Sequence, residues 1–99
     1  MTTTVVRYKV KDGRGDENQA LVEAVFAELA ERAPDGFRYG TIRLDDGVTF
    51  VHVARTESEQ NPLNESAAFK AFVEGLPERC AEPPSPTEGS IVGNYGLYS

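Results

Sequence analysis

The sequence predicts a small α+β domain in which four strands and two helices follow one another in the order β-α-β-β-α-β. Three observations predict this order: β-forming residues alternate near the amino terminus, two later segments are amphipathic at helical spacing, and two β-rich runs between them meet at a turn dipeptide. The 99 residues, of which 39% are hydrophobic, suit one hydrophobic core. We therefore interpret residues 1–99 as a single domain.

The composition narrows the classes of partner. Sixteen acidic and ten basic residues give a formal charge of -6, so nucleic acid and anionic membrane surfaces would be repelled. No apolar run approaches the roughly 20 residues of a membrane span, and no signal-peptide pattern opens the sequence, which favours a cytoplasmic protein. With one cysteine and one histidine, we expect neither a disulfide scaffold nor a metal site.

The first strand is predicted over residues 3–10, and the glycine-containing stretch after it is typical of a turn. Asp16 is predicted to cap the first helix, with Gln19 completing a capping-box-like arrangement. The sequence from Pro34 to Gly36 should end this helix. One face of the helix carries its apolar residues, Leu21, Val22, Val25, Phe26 and Leu29.

Residues 37–55 are predicted to form a hairpin, because two β-rich runs meet at Asp46-Gly47, a pair suited to a type I′ turn. Counting outward from a two-residue turn separates the side chains into two faces. One face is small and aliphatic: Gly40, Ile42, Val51 and Val53. The other is mixed: Tyr39, Thr41, Arg43, Phe50, His52 and Ala54. We expect the aliphatic face to lie under the helices, and a partner or ligand to cover the mixed face.

A second amphipathic helix is predicted in the carboxyl-terminal half, with Pro77 kinking or restarting it. Cys80 continues its apolar stripe and is expected to be a packing residue rather than a reactive thiol. The proline-rich residues 83–86 are interpreted as a stiff connector, and residues 90–98 as a final strand broken by glycine. The apolar stripe of the second predicted helix comprises Phe69, Phe72, Val73 and Leu76.

This order of elements is that of the ferredoxin-like fold, a four-stranded antiparallel sheet with both helices on one face. The other face would be bare in a monomer. We therefore expect a homodimer formed through the sheets, with Tyr95, Leu97 and Tyr98 near the partner.

The chain resembles the dimeric α/β-barrel superfamily, and most closely the small antibiotic-biosynthesis-monooxygenase-like (ABM-like) proteins. Three segments carry the resemblance: residues 5–11, residues 50–55 and residues 61–72, the last containing Ala-Phe-Lys-Ala-Phe. The resemblance covers nearly the whole chain and implies two subunits packed sheet on sheet, each with a cavity. Its members include cofactor-independent oxygenases of polyaromatic substrates, haem-degrading enzymes, lactone isomerases and proteins without known activity.

The haem-degrading members use an asparagine on strand one, a tryptophan before the second helix and a histidine on that helix. The matching positions here hold Val6 or Arg7, Leu63 and Val73, and the chain has no tryptophan. Haem breakdown is therefore disfavoured, and we expect no bound cofactor.

His52 is the candidate for proton transfer, because its unperturbed pKa lies near neutrality. Tyr39 is the second candidate, and Thr41, Phe50 and Arg43 are candidate ligand-binding residues. Each also has a plainer interpretation: a structural histidine hydrogen-bonded to Thr41, aromatic rings in the core or an interface, and a solvated arginine.

Two hypotheses follow. The first is a monooxygenase-like enzyme that acts without a cofactor on a small aromatic or enolisable molecule, with His52 or Tyr39 moving a proton. The second is a non-catalytic dimeric module that binds a small ligand or a partner, in which the same residues fill an interface.

Overall fold

The computed structural model describes residues 2–57 and 61–96 of the chain. Its sheet has the order β2-β3-β1-β4, and every neighbouring pair is antiparallel, as the ferredoxin-like prediction requires. Within the described residues, no helix is long and apolar enough to cross a membrane. The elements are β1 (Thr2–Val10), α1 (Gly15–Arg32), β2 (Phe37–Arg43), β3 (Thr49–Thr56), a 3-10 turn (Pro62–Glu65), α2 (Ala67–Glu74), α3 (Leu76–Arg79) and β4 (Cys80–Gly89).

The predicted hairpin register is confirmed, although the turn differs from the type I′ prediction. Thr41 pairs with His52 and Ile42 with Val51. Gly47 has a positive φ of 78°, and its N–H donates to the carbonyl of Leu44, which closes a turn over residues 44–47. Because the Leu44 N–H still donates to the carbonyl of Thr49, the loop between the paired residues comprises four residues, 45–48, instead of two. Because both lengths are even, the side chains that were predicted to share a face still share one.

The two faces of the hairpin are exchanged relative to the prediction. Phe50 and His52 are only 1% and 4% exposed beneath the helices, whereas Ile42 is 58% exposed on the open face of the sheet. The aromatic rings remove more apolar surface from water than the small aliphatic side chains could. Their polar atoms can be buried because they bond to one another, as described below.

The core lies between this aromatic face of the sheet and the helices. The Tyr8 ring stacks on Phe50, with ring centroids 5.6 Å apart and planes 9° from parallel. The alternation of β1 places Tyr8 and Val10 on the inner face, where they meet the apolar stripe of α1. The buried hydrophobic residues are Tyr8, Val10, Val22, Val25, Phe50, Leu63, Phe72 and Leu76.

The capping prediction for α1 is wrong. The helix begins at Gly15, its N-cap residue is Arg14, and no side chain caps it. Asp16 and Gln19 instead accept hydrogen bonds from Arg43, with distances of 3.0 and 2.7 Å from its Nη1. This arginine connects the first turn of the helix to the hairpin. At the other end, α1 stops at Arg32, just before the proline that was predicted to end it.

The fourth strand also differs from the prediction. The proline-rich residues form the middle of β4 (Cys80–Gly89) rather than a connector. Prolines are tolerated there because β4 is an edge strand, and its register against β1 shifts near Lys9. Residues 90–96 contain no strand, and the predicted positions Leu97 and Tyr98 lie outside the described residues.

Cys80 is the first residue of β4 rather than part of a helix. Its side chain is partly buried and packs against the core, which agrees with the predicted packing role. This burial raises the pKa of the Cys80 thiol. A raised pKa lowers the thiolate fraction at neutral pH and so disfavours reactivity.

Gly15 generates the first testable prediction, because α1 meets the hairpin turn there. A Cβ at this position would collide with the backbone carbonyl of Gly47 and with the guanidinium of Arg43. Gly15→Ala should therefore lower the free energy of unfolding by about 1–3 kcal/mol, measured by urea denaturation. Gly89→Ala is the matched control, since a Cβ there meets nothing within 4 Å. Equal stability of the two variants would contradict the proposed contact.

Candidate functional site

A cavity of about 310 Å³ lies between the inner face of the sheet and α2. This volume is near the lower end of the roughly 300–1,000 Å³ found for small-molecule sites. Its apolar lining is formed by Val6, Ala54, Leu63, Phe69, Phe72, Val73, Leu76 and Pro84. Its polar lining is formed by Thr4, Tyr8, Tyr39, His52, Thr56 and Asn61.

Strand geometry brings the polar groups of three strands together. Tyr8 and Val6 lie two residues apart on β1 and therefore share its inner face. Val6 is paired with His52 on β3, and Tyr39 on β2 is paired with Ala54. The antiparallel register thus places one imidazole and two phenols side by side.

The 3-10 turn and helix α2, which lie opposite the sheet across the cavity, are held in place by capping hydrogen bonds. The Asn61 side chain accepts from the Leu63 N–H at the start of the 3-10 turn, and Ser66 accepts from the Phe69 N–H at the start of α2. Glu28 of α1 accepts a 2.6 Å bond from the Ser66 hydroxyl. That bond, assisted by the Ala68 amide, lowers the pKa of Glu28. Helix α2 is therefore fixed to α1 above the cavity.

Both ring nitrogens of His52 are hydrogen-bonded. Its Nε2 lies 2.8 Å from the Tyr8 hydroxyl, and its Nδ1 lies 2.6 Å from the Tyr39 hydroxyl and 3.0 Å from Thr41 Oγ1. Burial lowers the pKa of His52 to about 4. The imidazole is therefore neutral at pH 7.

The two phenols are held in their protonated form. Burial raises the pKa of Tyr8 well above its ordinary value and raises the pKa of Tyr39 to about 12. Both hydroxyls can therefore donate as well as accept at neutral pH. The polar end of the cavity consequently carries no net charge and suits a neutral guest.

A second set of buried polar residues lies behind Tyr8. The Asn18 Nδ2 donates to the Tyr8 hydroxyl over 2.8 Å, and the Arg79 Nε donates to Asn18 Oδ1 over 3.2 Å. Arg79 also donates from Nη2 to the carbonyl of Phe72 over 2.8 Å. Asn18 and Arg79 are 0% and 3% exposed. A continuous chain of hydrogen bonds thus runs from Arg79 to the cavity.

The predicted site residues fall into two groups. His52 and Tyr39 line the cavity, and Thr41 does not line it but is bonded to His52. Phe50 is buried beneath Tyr8, and Arg43 joins α1 to the hairpin turn, so neither lines the cavity. Of the predicted residues, only His52 and Tyr39 are thus placed to contact a molecule in the cavity.

Sequence reasoning missed Tyr8, Asn18 and Arg79. Tyr8 is two residues from both Val6 and Val10 in β1, and this spacing marks it as an inner residue, but its neighbour across the sheet depends on a long-range register. Asn18 falls on the same helical face as the buried Val22 and Val25, and a polar residue on such a stripe is a usable signal. We find no comparable signal for Arg79.

The described residues contain no group of three or more histidine, cysteine, aspartate or glutamate side chains that could hold a metal ion. The polar groups of the cavity are phenols, an imidazole, hydroxyls and an amide. Such a lining favours an organic guest with a few polar atoms.

The cavity lies in a ferredoxin-like α+β fold, and solved structures share that fold over nearly the whole chain. A Nitrosomonas europaea protein, provisionally assigned as an antibiotic biosynthesis monooxygenase, is 17% identical with a TM-score of 0.75, covering 94% of this chain and 100% of that one. SnoaB from Streptomyces nogalater, a cofactor-independent oxygenase, is 17% identical with a TM-score of 0.67, covering 96% of each chain.

A similarly assigned Caulobacter crescentus protein is 19% identical with a TM-score of 0.70, covering 93% of this chain and 90% of that one. No protein-family model matches the sequence, and no curated protein matches it. The chain therefore has the ABM-like fold that the sequence resemblance implied.

The His52 environment predicts how stability depends on pH. The unfolded chain has the ordinary pKa of 6.5 and the folded chain a pKa of about 4, so the unfolded state binds the proton first as the pH falls. Stability is then fully present above pH 6.5 and is lost between about pH 6.5 and 4. We expect a loss of about 2 kcal/mol between pH 7 and pH 5.

Urea denaturation at several pH values would measure this loss. His52→Gln should remove most of the pH dependence in this window, because the carboxylates with lowered pKa values titrate below it. An unchanged slope in that variant would contradict the assignment to His52.

Proposed function

We propose that this protein is a monooxygenase-like enzyme that binds a small, flat, mostly apolar molecule in the inner cavity and oxidises it without a bound cofactor. The observation that carries the proposal is the convergence of His52, Tyr8 and Tyr39 at one end of an otherwise largely apolar cavity. The structural similarity to SnoaB, a cofactor-independent oxygenase, supports the same class of reaction.

The substrate would be an aromatic ketone or phenol that can form an enolate. Such an anion can reduce O₂ directly, so that a CH₂ group and O₂ give a carbonyl group and water. The Tyr39 hydroxyl would hold the substrate oxygen as negative charge develops on it. His52 would accept the substrate proton through the Tyr8 hydroxyl, and the apolar walls would exclude water from the reactive anion.

A second candidate is a non-catalytic module that binds a similar molecule. Two properties of His52 favour it: both ring nitrogens are hydrogen-bonded, and a pKa of about 4 makes the imidazole a weak base. In that case the hydrogen-bonded residues from Arg79 to His52 would only shape and orient the binding site.

Oxygen uptake by chelator-treated protein separates the two candidates. The probes would be β-tetralone, which is bicyclic and enolisable, and naphthalene, which has no acidic hydrogen of this kind. An enzyme should consume oxygen with β-tetralone but not with naphthalene. His52→Ala should reduce the rate of oxygen uptake by roughly 10²-fold. Binding of β-tetralone without oxygen uptake would favour the non-catalytic module.

Filling the cavity tests the location of the site. Ala54 lines the cavity from β3, so Ala54→Phe should occupy the space of the guest. We expect the affinity for fluorescent β-naphthol to fall about tenfold or more, which corresponds to about 1.4 kcal/mol. Ala24→Phe is the matched control, since Ala24 is exposed on α1. Equal affinities of the two variants would place the binding site elsewhere.

We further propose that the protein forms a homodimer through the open face of the sheet. Val5 on β1 and Ile42 on β2 are 36% and 58% exposed on this face, and the half-buried Val51 and Val53 of β3 lie between them. Exposed aliphatic side chains on neighbouring strands favour association. Tyr95, which is fully exposed beyond β4, could contact the partner.

Sedimentation equilibrium at micromolar concentration should therefore give twice the 10.8 kDa mass of the chain. Val53→Asp places a charge on the open face and should yield monomers, whereas Ala27→Asp on the exposed side of α1 should not. A monomeric wild-type protein would refute the dimer.

A further inference from the structure

The hydrogen bonds behind the cavity have a direction that begins at Arg79. A guanidinium group only donates, so the atom of Asn18 facing Arg79 Nε must be the amide oxygen. The Asn18 Nδ2 is therefore the group that faces the Tyr8 hydroxyl, 2.8 Å away, and it donates to that oxygen.

The same direction continues from Tyr8 to His52. Since the Tyr8 oxygen accepts from Asn18, its hydrogen is available for His52 Nε2, which lies 2.8 Å away. The neutral imidazole then carries its single hydrogen on Nδ1. That N–H points to Tyr39, whose oxygen is 2.6 Å from Nδ1, with Thr41 Oγ1 a more distant acceptor at 3.0 Å.

We propose that Asn18 and Arg79 are positioning residues that hold His52 in its Nδ1–H tautomer, so that Tyr39 receives a hydrogen bond from His52 and turns its own hydrogen toward an acceptor oxygen of the ligand. The assignment of the ligand's oxygen rests on the proposed function, whereas the assignment of the tautomer does not.

The burial of these residues supports a role beyond packing. Among the described residues, Arg79 forms no salt bridge with a carboxylate, although it is almost fully buried. It is stabilised by the Asn18 and Phe72 oxygens and by the Phe72 ring, whose centroid lies 5.4 Å from its guanidinium carbon. Burying a charge is expensive, and an apolar side chain of similar volume is often at least as stable. Arg79 supplies a fixed hydrogen-bond donor to Asn18, which an apolar side chain could not do, and this role accounts for the cost of burying its charge.

The Tyr39 ring is also held in place. It stacks on Phe26 with ring centroids 5.0 Å apart and on Phe37 at 5.8 Å, so its hydroxyl is presented from a defined position. A ligand with a carbonyl or enolate oxygen would complement this hydroxyl. A ligand that offers only a donor would compete with the hydrogen that Tyr39 presents.

The tautomer can be measured directly, because His52 is the only histidine of the chain. Nitrogen-isotope NMR of the imidazole at pH 7 distinguishes a protonated from an unprotonated ring nitrogen. The wild-type protein should show hydrogen on Nδ1 and none on Nε2. Hydrogen on Nε2 would overturn the proposal without any variant.

Asn18→Asp should reverse the direction of the hydrogen bonds that connect residue 18 to His52. A carboxylate beside Arg79 accepts the Tyr8 hydrogen, and Tyr8 must then accept from His52 Nε2. The imidazole signals should therefore exchange, with hydrogen now on Nε2. Asn64→Asp makes the same substitution on an exposed side chain and should leave the wild-type tautomer unchanged. An Asn18→Asp protein that keeps hydrogen on Nδ1 would refute the role of Asn18.

Tyr8→Phe provides a second variant if Asn18→Asp does not fold. It removes the hydroxyl between Asn18 and His52, so the neutral imidazole should lose its fixed tautomer and show a mixture of the Nδ1–H and Nε2–H forms. A pure Nδ1–H spectrum in this variant would mean that Tyr39 and Thr41 set the tautomer by themselves, contrary to the proposal.

Ligand preference reports on Tyr39 separately. The ratio of affinities for β-tetralone, an acceptor, and β-naphthol, a donor, should shift by about tenfold toward β-naphthol in Asn18→Asp, because the Tyr39 hydrogen then turns to His52 Nδ1. An exchanged tautomer with an unchanged ratio would refute the ligand contact at Tyr39. If neither probe binds the wild-type protein but the tautomers behave as expected, the proposed function fails and the positioning role stands.

Discussion

A buried imidazole needs a hydrogen-bond partner at each ring nitrogen. Tyrosines on β1 and β2, the two strands that flank β3, meet this need for His52. The requirement explains why the aromatic face of the sheet can lie inward. Without Tyr8, burial of this ring would leave Nε2 unpaired, at a cost of about 1–3 kcal/mol, whereas Nδ1 is bonded to both Tyr39 and Thr41. The same bonds place three polar groups at one end of an apolar cavity. The composition of the core and the chemistry of the site therefore have one origin.

Local patterns predicted much of the framework. The order of strands and helices, the apolar stripe of α1, the even-numbered hairpin loop and the pairing of Thr41 with His52 all follow from periodicity and turn residues close in sequence. Such features depend on neighbouring residues, which a sequence displays directly.

The errors concern choices made over long distances. Alternation in β2 and β3 divides the side chains into two faces but does not say which face receives the helices. The capping prediction at Asp16 failed because Arg43, 27 residues away, takes that carboxylate. The prolines of β4 resemble a connector until the strand order shows that they lie at an edge. Likewise, Arg79 contacts Asn18, which is 61 residues away in the sequence, and no local pattern predicts this contact.

The prolines of β4 also affect what the sheet can do at its boundary. Pro83 and Pro84 lie where the register of β4 against β1 shifts, and prolines occur on edge strands at positions where the missing N–H would face solvent. An incoming strand from another molecule would find a gap in the row of donors it needs. The prolines of β4 therefore disfavour edge-to-edge pairing with a strand of another molecule, which is the arrangement that extends a sheet into a fibril.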